Sequence, residues 1–259
     1  MGGDDQPAVS SAVLITGASS GIGAALARLY AREGLLLALG GRDAGRLETI
    51  AADGRRAGAE VVPGVVDVTD RQAMAEWIAA VEARAPLELV IANAGISGGG
   101  VGGSADAEQT RRMFAVNVEG MLNTVEPALA PMLERRRGQI AFMSSLAAFR
   151  GMPSAPAYCA SKAAVRVYGE ALRARLRDSG VTISVVCPGF VRTPLTARNP
   201  FPMPLLMEPE RAAVLIRTGL ERKRPQIAFP WPSLLAARMI AALPAGLADR
   251  WLARLPVKE

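Results

Sequence analysis

Short apolar segments alternate with amphipathic segments along most of the chain. Runs of four to seven apolar residues are typical of strands buried on both faces, and apolar residues three or four positions apart predict helices. The pattern predicts strands at 12–15, 35–39, 61–66, 87–92, 139–143, 181–187 and 226–229. It predicts helices between them at 22–32, 44–57, 71–83, 107–134, 158–178 and 208–220. This alternation predicts an α/β fold with a doubly wound parallel sheet of about seven strands.

The chain is expected to form a single domain, 1–259, because no Pro/Gly/Ser-rich linker divides it. The core spans 8–229, and a C-terminal helical extension, 230–259, follows with short helices at 233–243 and 245–255. Neither helix has the roughly 20 apolar residues that cross a bilayer. Trp231 and Trp251 with neighbouring arginines fit a segment that lies on a membrane surface, but packing on the same or a partner subunit fits equally well.

Composition narrows the function classes. Half of the 259 residues are hydrophobic, and the formal net charge is +6, with the basic excess concentrated towards the C-terminus. No basic stripe with interleaved aromatic residues is present, so nucleic-acid binding is not expected. Two cysteines, no histidine and no signal-like N-terminal segment indicate a cytoplasmic protein, either free or at the inner face of the membrane, without a metal site.

A glycine-rich turn separates the first strand from the first helix. It reads Thr-Gly-Ala-Ser-Ser-Gly-Ile-Gly at 16–23. Glycines let backbone amides approach a pyrophosphate, and the helix that follows directs its positive dipole end at the same anion. Because this turn opens the first βα unit, where open sheets of this kind bind dinucleotides, it predicts a dinucleotide site.

The turn and five further motifs resemble the short-chain dehydrogenase/reductase family over about residues 11–195. The resemblance rests on the spacing of the turn, on Asp67-Val68, on Asn93-Ala94-Gly95, and on three later matches. These later matches are Asn117 in "FAVNVEG", Ser145 placed 13 residues before Tyr158 in "YCASK", and Pro188-Gly189 with Thr193 in "CPGFVRTP". It implies a Rossmann-type domain that binds a nicotinamide dinucleotide.

The same resemblance implies a set of site residues. Ser145, Tyr158, Lys162 and Asn117 are the expected catalytic residues. Cofactor contacts are expected from Gly17, Ser19, Ser20, Gly21, Ile22, Gly23, Arg42, Asp67, Val68, Asn93, Ala94, Gly95, Tyr158, Lys162, Pro188, Gly189, Val191 and Thr193. The family also implies a substrate lid, here 190–212, and a homodimer or homotetramer packed through the helices at 107–134 and 158–178.

The pair in "YCASK" suits proton transfer without histidine. A free tyrosine has a pKa of about 10, and a nearby ammonium favours its ionised form. Residues four positions apart lie on one helical face, which places Lys162 beside Tyr158 and predicts that it lowers the tyrosine pKa. By resemblance, Ser145 polarises the substrate carbonyl and Asn117 anchors a water in the proton path to Lys162.

The second strand bears on cofactor choice. It ends "LALGGRD", and Arg42 suits the 2′-phosphate of NADP(H), because a guanidinium pairs with phosphate in a bidentate, planar way. Pairing of Arg42 with the neighbouring Asp43 is the competing explanation, so NAD(H) stays possible. NADP(H) is favoured.

The apolar lid segment, which includes Leu195, Phe201, Met203, Leu205, Leu206 and Met207, favours a hydrophobic substrate. The expected function is therefore NADP(H)-dependent hydride transfer to or from the carbonyl or secondary alcohol of an apolar substrate, lipid-like ones included. The alternatives are an NAD-dependent dehydrogenase of a small polar alcohol and a non-catalytic dinucleotide-binding scaffold.

Overall fold

A computed structural model describes residues 10–98, 104–197 and 202–252. The predictions for Phe201, for residues 253–259 and for the side chain of Trp251 lie outside the described part. The strands of the described chain are β1 (Ser11–Thr16), β2 (Leu35–Gly41), β3 (Glu60–Val65), β4 (Leu87–Ala92), β5 (Gly138–Met143), β6 (Val181–Pro188) and β7 (Gln226–Phe229). They form one parallel sheet in the order β3-β2-β1-β4-β5-β6-β7, which confirms the predicted fold class.

Helices cover both faces of this sheet. They are α1 (Gly21–Tyr30), α2 (Ala44–Arg56), α3 (Arg71–Arg84), α4 (Ser104–Phe114), α5 (Gly120–Glu134), α6 (Pro156–Arg175), α7 (Pro209–Glu221), α8 (Trp231–Ala242) and α9 (Ala245–Leu252). Successive residues of a strand point to opposite faces. In β1, Val13 and Ile15 therefore pack in one apolar cluster, and Ala12 and Leu14 pack in the other.

The predicted single helix at 107–134 is interrupted. A π-helical turn, Ala115–Glu119, lies between α4 and α5. Hydrogen bonds in a π turn join residues five apart, so the turn holds one more residue than the α-helical pattern predicts. Such turns are frequent at functional sites, and Asn117 lies at the centre of this one.

The C-terminal extension contains two helices, as predicted. No residue of α8 is buried, and the exposed fraction of Trp231 is 73%. By contrast, α9 buries Ala248 and Leu252. Within the described residues, no helix is both long enough and apolar enough to cross a bilayer.

Candidate functional site

The order of the strands reverses direction at β1 and β4, and a crevice opens at the carboxyl ends of these two strands. Thr16 and Asn93 join its two sides. The backbone amides of Asn93 and Ala94 donate to Thr16 Oγ1 at 3.1 and 3.2 Å. Asn93 Nδ2 donates to the carbonyl oxygens of Thr16 and Gly17 at 2.9 and 3.3 Å. These bonds fix the mouth of the crevice.

The glycine-rich turn forms one wall of the crevice. Gly17 and Gly21 have φ of 65° and 54°, a backbone region that side chains with a Cβ rarely adopt. A Cβ on Gly23 would collide with the carbonyl oxygen of Gly17. Ser20 precedes α1 without a side-chain cap bond, so the first amides of α1 remain available to an anion. The turn therefore fits a bound pyrophosphate.

Arg42 and Asp67 lie beyond the carboxyl ends of β2 and β3. Arg42 Nη1 is 3.5 Å from Asp67 Oδ2, and both side chains are partly exposed. Burial acts to raise the pKa of Asp67, but hydrogen bonds from Thr69 and the charge of Arg42 together lower it. Asp43 instead caps α2 through the amide of Arg46 and pairs with the Arg46 guanidinium. Arg42 is thus paired across two strands rather than with the neighbouring Asp43.

Ser145 and Tyr158 lie on the opposite wall of the crevice, where both line the cavity. Ser145 follows β5, and its Oγ accepts from the amide of Ala147 at 3.1 Å. The Ser145 hydroxyl donates to the carbonyl of Pro188 at 3.4 Å, and it acts to lower the pKa of Tyr158. The adjacent Ser144 is committed elsewhere, because its Oγ donates to the carbonyl of Lys162 at 2.8 Å. The geometry favours Ser145 over Ser144 as the serine that faces a substrate.

Burial raises the pKa of Tyr158, Cys159 adds to this rise, and the hydrogen bond with Ser145 opposes it. This direction is opposite to the one expected from the sequence. Lys162 is itself buried, and its Nζ donates to the carbonyl of Met143 at 2.9 Å. Burial also lowers the pKa of Lys162 from 10.5 to about 8. Burial is the largest cause of both pKa shifts.

Asn117 lies behind this pair, on the π turn. Its Oδ1 accepts from the amide of Ile96 at 2.8 Å, and its Nδ2 donates to the carbonyl of Ile96 and to Ser161 Oγ, both at 3.0 Å. The side chain is 1% exposed. Asn117 therefore ties the segment after β4 to α6, the helix that carries Tyr158.

The loop after β6 closes the crevice. The amide of Gly189 donates to the carbonyl of Phe229 at 2.7 Å, which fixes the loop to β7. Thr193 packs so closely on Gly21 that a Cβ there would lie 2.8 Å from Thr193 Cγ2. Thr196 Oγ1 donates to the carbonyl of Val191 at 2.6 Å and accepts from the amide of Thr193 at 3.0 Å. Together these contacts hold the loop against the glycine-rich turn.

The structure brings most of the predicted residues around one cavity of about 150 Å³. The predicted residues that line it are Gly17, Ser20, Gly21, Ile22, Asn93, Gly95, Ser145, Tyr158, Lys162, Pro188, Gly189, Val191 and Thr193. The predicted residues that do not line it are Ser19, Gly23, Arg42, Asp67, Val68, Ala94 and Asn117. Pro194, Leu195 and Thr196 of the predicted lid line it as well, and Met143 and Ser144 line it without having been predicted.

A larger groove of about 700 Å³ lies elsewhere, between the segment after β5, α6 and α9. Its walls include Cys159, Ala160 and Ala163, which occupy a different face of α6 from Tyr158 and Lys162. No predicted site residue lines it. The larger of these two cavities is therefore not the one that the predicted site residues line.

The chain matches the family model described as short chain dehydrogenase over residues 11–201. It is 41% identical over 243 residues to an uncharacterized oxidoreductase of Myxococcus xanthus, covering 93% of this chain and 96% of that protein.

Two solved structures are similar to this chain over nine-tenths or more of its length. A short-chain dehydrogenase/reductase from Burkholderia phymatum in complex with NAD has a TM-score of 0.81 and 27% identity, covering 97% of this chain and 98% of that one. A short-chain dehydrogenase from Sphingobium yanoikuyae in complex with NADPH has a TM-score of 0.77 and 28% identity, with coverage of 91% and 97%. The two relatives carry different nicotinamide dinucleotides.

Proposed function

Since the chain belongs to the short-chain dehydrogenase/reductase family and is an oxidoreductase that uses a nicotinamide dinucleotide, we propose that its reaction is NADP(H)-dependent. The proposed substrate is the carbonyl or secondary alcohol of an apolar small molecule, lipid-like ones included. One observation carries the proposal: Ser145, Tyr158 and Lys162 line the same cavity as the glycine-rich turn.

The dinucleotide, when bound, supplies or accepts the hydride. The amides of the glycine-rich turn hold its pyrophosphate, and Asp67 with Val68 contacts the adenine. Asn93, Ala94 and Gly95 support the ribose side, and the loop after β6 holds the nicotinamide through Pro188, Gly189, Val191 and Thr193. The remaining proposed contacts are Gly17, Ser19, Ser20, Gly21, Ile22, Gly23 and Arg42.

Tyr158 exchanges a proton with the substrate oxygen through its hydroxyl. The raised pKa of Tyr158 keeps that hydroxyl protonated at neutral pH, which suits a general acid in carbonyl reduction. Ser145 Oγ holds the carbonyl oxygen and stabilises the negative charge that develops there. Lys162 carries an ammonium below its pKa of about 8, and Asn117 anchors a water in the proton path to it.

The preference for NADP(H) rests on Arg42. Its guanidinium lies beyond β2 and is 51% exposed, so it can reach a 2′-phosphate. Asp67 competes for it at 3.5 Å in an exposed pair, and exposed pairs of this kind contribute 0–1 kcal/mol, roughly. A phosphate that carries about two negative charges would displace so weak a partner.

The apolar substrate class rests on the lid, 190–212. Leu195 lines the cavity, Val191 and Met207 are buried, and a β-bridge between these last two joins the ends of the lid. Leu205 is 55% exposed with a φ of 57°. Apolar side chains on both sides of the polar groups favour a substrate with a hydrocarbon body.

A screen of NADPH and NADH oxidation against ketones and aldehydes of increasing chain length tests this proposal. We expect turnover with NADPH to rise with chain length.

Tyr158→Phe should lower kcat by about 10²–10⁴ while dinucleotide binding persists, because general acid catalysis contributes this much. Tyr168→Phe, on the same helix, is the matched control, since its ring packs edge-on against Phe142. Full activity of Tyr158→Phe would refute the mechanism.

The remaining expectations concern organisation and partners. We propose that 8–229 forms the core of one domain, that homodimers or homotetramers pack through the helical segments 107–134 and 158–178, and that the protein is cytoplasmic. Trp231, Leu235 and Met239 form an exposed apolar stripe on α8, which supports peripheral contact with a membrane surface.

Flotation with vesicles of anionic and neutral lipid tests the membrane contact. Wild type should float with the anionic vesicles, and a triple variant with Trp231, Leu235 and Met239 replaced by Ser should remain in the soluble fraction. Sedimentation of both proteins separates this outcome from subunit packing, because loss of the oligomer in the variant would assign the stripe to a partner subunit.

A further inference from the structure

Ser161 lies between the two proposed proton-transfer residues in sequence but points away from the cavity. Its side chain is fully buried. Its Oγ donates to the carbonyl oxygen of Tyr158 at 2.9 Å and accepts from Asn117 Nδ2 at 3.0 Å. One hydroxyl therefore joins the backbone of the acid to the side chain on the π turn.

The direction of these bonds is fixed by chemistry. A carbonyl oxygen can only accept, so the single proton of the Ser161 hydroxyl goes to Tyr158. The lone pairs of the hydroxyl then face Asn117, and only the Nδ2 end of that amide can donate to them. Ile96 fixes the same orientation of the Asn117 amide, because the Ile96 N–H can donate only to Oδ1 and the Ile96 carbonyl can accept only from Nδ2. Ser161 and Ile96 thus hold the Asn117 amide in one orientation.

We propose that Ser161 is a positioning residue, which acts through Asn117 and Tyr158 and touches neither substrate nor dinucleotide. This inference rests on the proposed function, because it assigns Ser161 to the reaction of those residues. Without the hydroxyl, the Asn117 amide is held through Ile96 alone, and the π turn loses this hydrogen-bonded link to α6. The Tyr158 hydroxyl is then held less firmly against Ser145.

The chain offers a matched control in Ser184. This serine is also fully buried, its Oγ donates to the carbonyl of Arg224 at 2.8 Å, and it accepts from Gln139 Nε2 at 3.4 Å. Ser184→Ala therefore removes the same kinds of bond from a buried site outside the proposed catalytic and cofactor-binding residues. Ser161→Ala removes them beside Asn117.

Three variants of Ser161 make the test decisive. Ser161→Ala deletes the hydroxyl, and Ser161→Cys keeps the packing with a weak hydrogen-bonding group, so it decides the question if the alanine variant does not fold. Ser161→Thr restores a hydroxyl. We expect kcat to fall about tenfold in the first two variants and to stay within about twofold in the third, a tenfold change being a modest loss of transition-state stabilisation.

Two readouts separate positioning from general loss of stability. In Ser161→Ala, KM and the dinucleotide Kd should change little. The pH profile of kcat for alcohol oxidation, in which Tyr158 must accept the proton, should shift to higher pH, because Ser145 then lowers the pKa of Tyr158 less. Hydrogen exchange at the Ile96 amide should quicken. Ser184→Ala should show none of these changes at an equal loss of thermal stability.

Equal kcat and equal pH profiles for Ser161→Ala, Ser161→Cys and Ser184→Ala would overturn the inference, and so would a threonine variant as poor as the alanine variant. Tyr158→Phe is assayed in parallel. If it retains full activity, the proposed function itself fails. If it is inactive while the Ser161 variants match Ser184→Ala, only the positioning role fails.

Discussion

The two ends of the crevice are built differently. At the proton-transfer end, Ser145 and Lys162 are buried and Tyr158 is half-buried, and burial is the largest cause of the pKa shifts of Tyr158 and Lys162. At the Arg42–Asp67 end, the side chains are 51% and 39% exposed, and a single 3.5 Å contact joins them. Desolvation therefore dominates the electrostatics of the proton-transfer end, and solvent screens the charges at the Arg42–Asp67 end.

The difference sets the size of the effects that a substitution can have. A buried charge acts at low effective dielectric, so its removal changes both stability and chemistry. An exposed charge is screened by water and salt, so its removal changes one binding constant by a small factor. The three predictions below test this contrast, from the largest effect to the smallest.

Lys162→Met should lower kcat by at least about a hundredfold, because the ammonium is lost from the proton-transfer end. The same change should stabilise the protein at pH 7. The pKa of Lys162 falls from 10.5 to about 8 on folding, which corresponds to a penalty of about 3 kcal/mol. The bond to the Met143 carbonyl offsets part of this gain. Steady-state kinetics and chemical denaturation measure both effects.

The stability gain should depend on pH in a defined window. The folded pKa lies below the unfolded one, so the penalty is complete below about pH 8 and disappears as pH rises to 10.5. The gap between variant and wild type should narrow across that range. Lys223→Met, at an exposed lysine, is the control and should change neither property. A less stable Lys162→Met at pH 7 would contradict the role given to burial.

The pH dependence of carbonyl reduction should reflect the same lysine. As pH rises through about 8, Lys162 loses its proton, and kcat/KM should fall about tenfold per pH unit above that value. The raised pKa of Tyr158 keeps the acid protonated over this range. Lys162→Arg should move the decline to higher pH, since a guanidinium stays charged. A kcat/KM of wild type that stays constant up to pH 9.5 would show that the protonation of Lys162 does not affect the reaction.

Arg42→Ala should produce the smallest effect. We expect the Kd of NADPH to rise about tenfold and that of NADH to change by less than about twofold, with the difference shrinking as salt is raised. Arg46→Ala, which removes the guanidinium that Asp43 engages at 2.7 Å, is the matched control and should leave both constants unchanged. Isothermal titration with each dinucleotide measures the constants. Equal weakening of NADPH and NADH by Arg42→Ala would remove Arg42 from 2′-phosphate recognition.

Sequence patterns predicted the features that depend on local periodicity and on motif spacing. The seven strands follow from short apolar runs, and the crevice follows from a glycine-rich turn that opens the first βα unit. The separation of Ser145 from Tyr158 matches the family pattern, and that resemblance implied that both belong to one site. These features depend on residues near each other in the chain, or on a spacing that the fold converts into proximity.

Contacts between distant segments could not be predicted in this way. The pairing of Arg42 with Asp67 depends on the parallel alignment of β2 with β3, and the sequence suggested Asp43 instead. The carbonyl of Met143 accepts a hydrogen bond from Lys162 because β5 ends beside α6, and burial raises the pKa of Tyr158 where a lower one was expected. Every residue has a backbone carbonyl, so residue identity alone could not predict this contact.

The π turn at Ala115–Glu119 makes the site sensitive to chain length rather than to residue identity. Each residue of an α-helix advances the chain by about 100° around the helix axis. Deleting one residue from the turn would let 104–134 run as an uninterrupted α-helix, but every side chain on one side of the deletion would rotate by that angle. Asn117 would then face away from Ile96 and Ser161. The helix would be more regular, but the hydrogen bonds that join Asn117 to Ile96 and Ser161 would be lost.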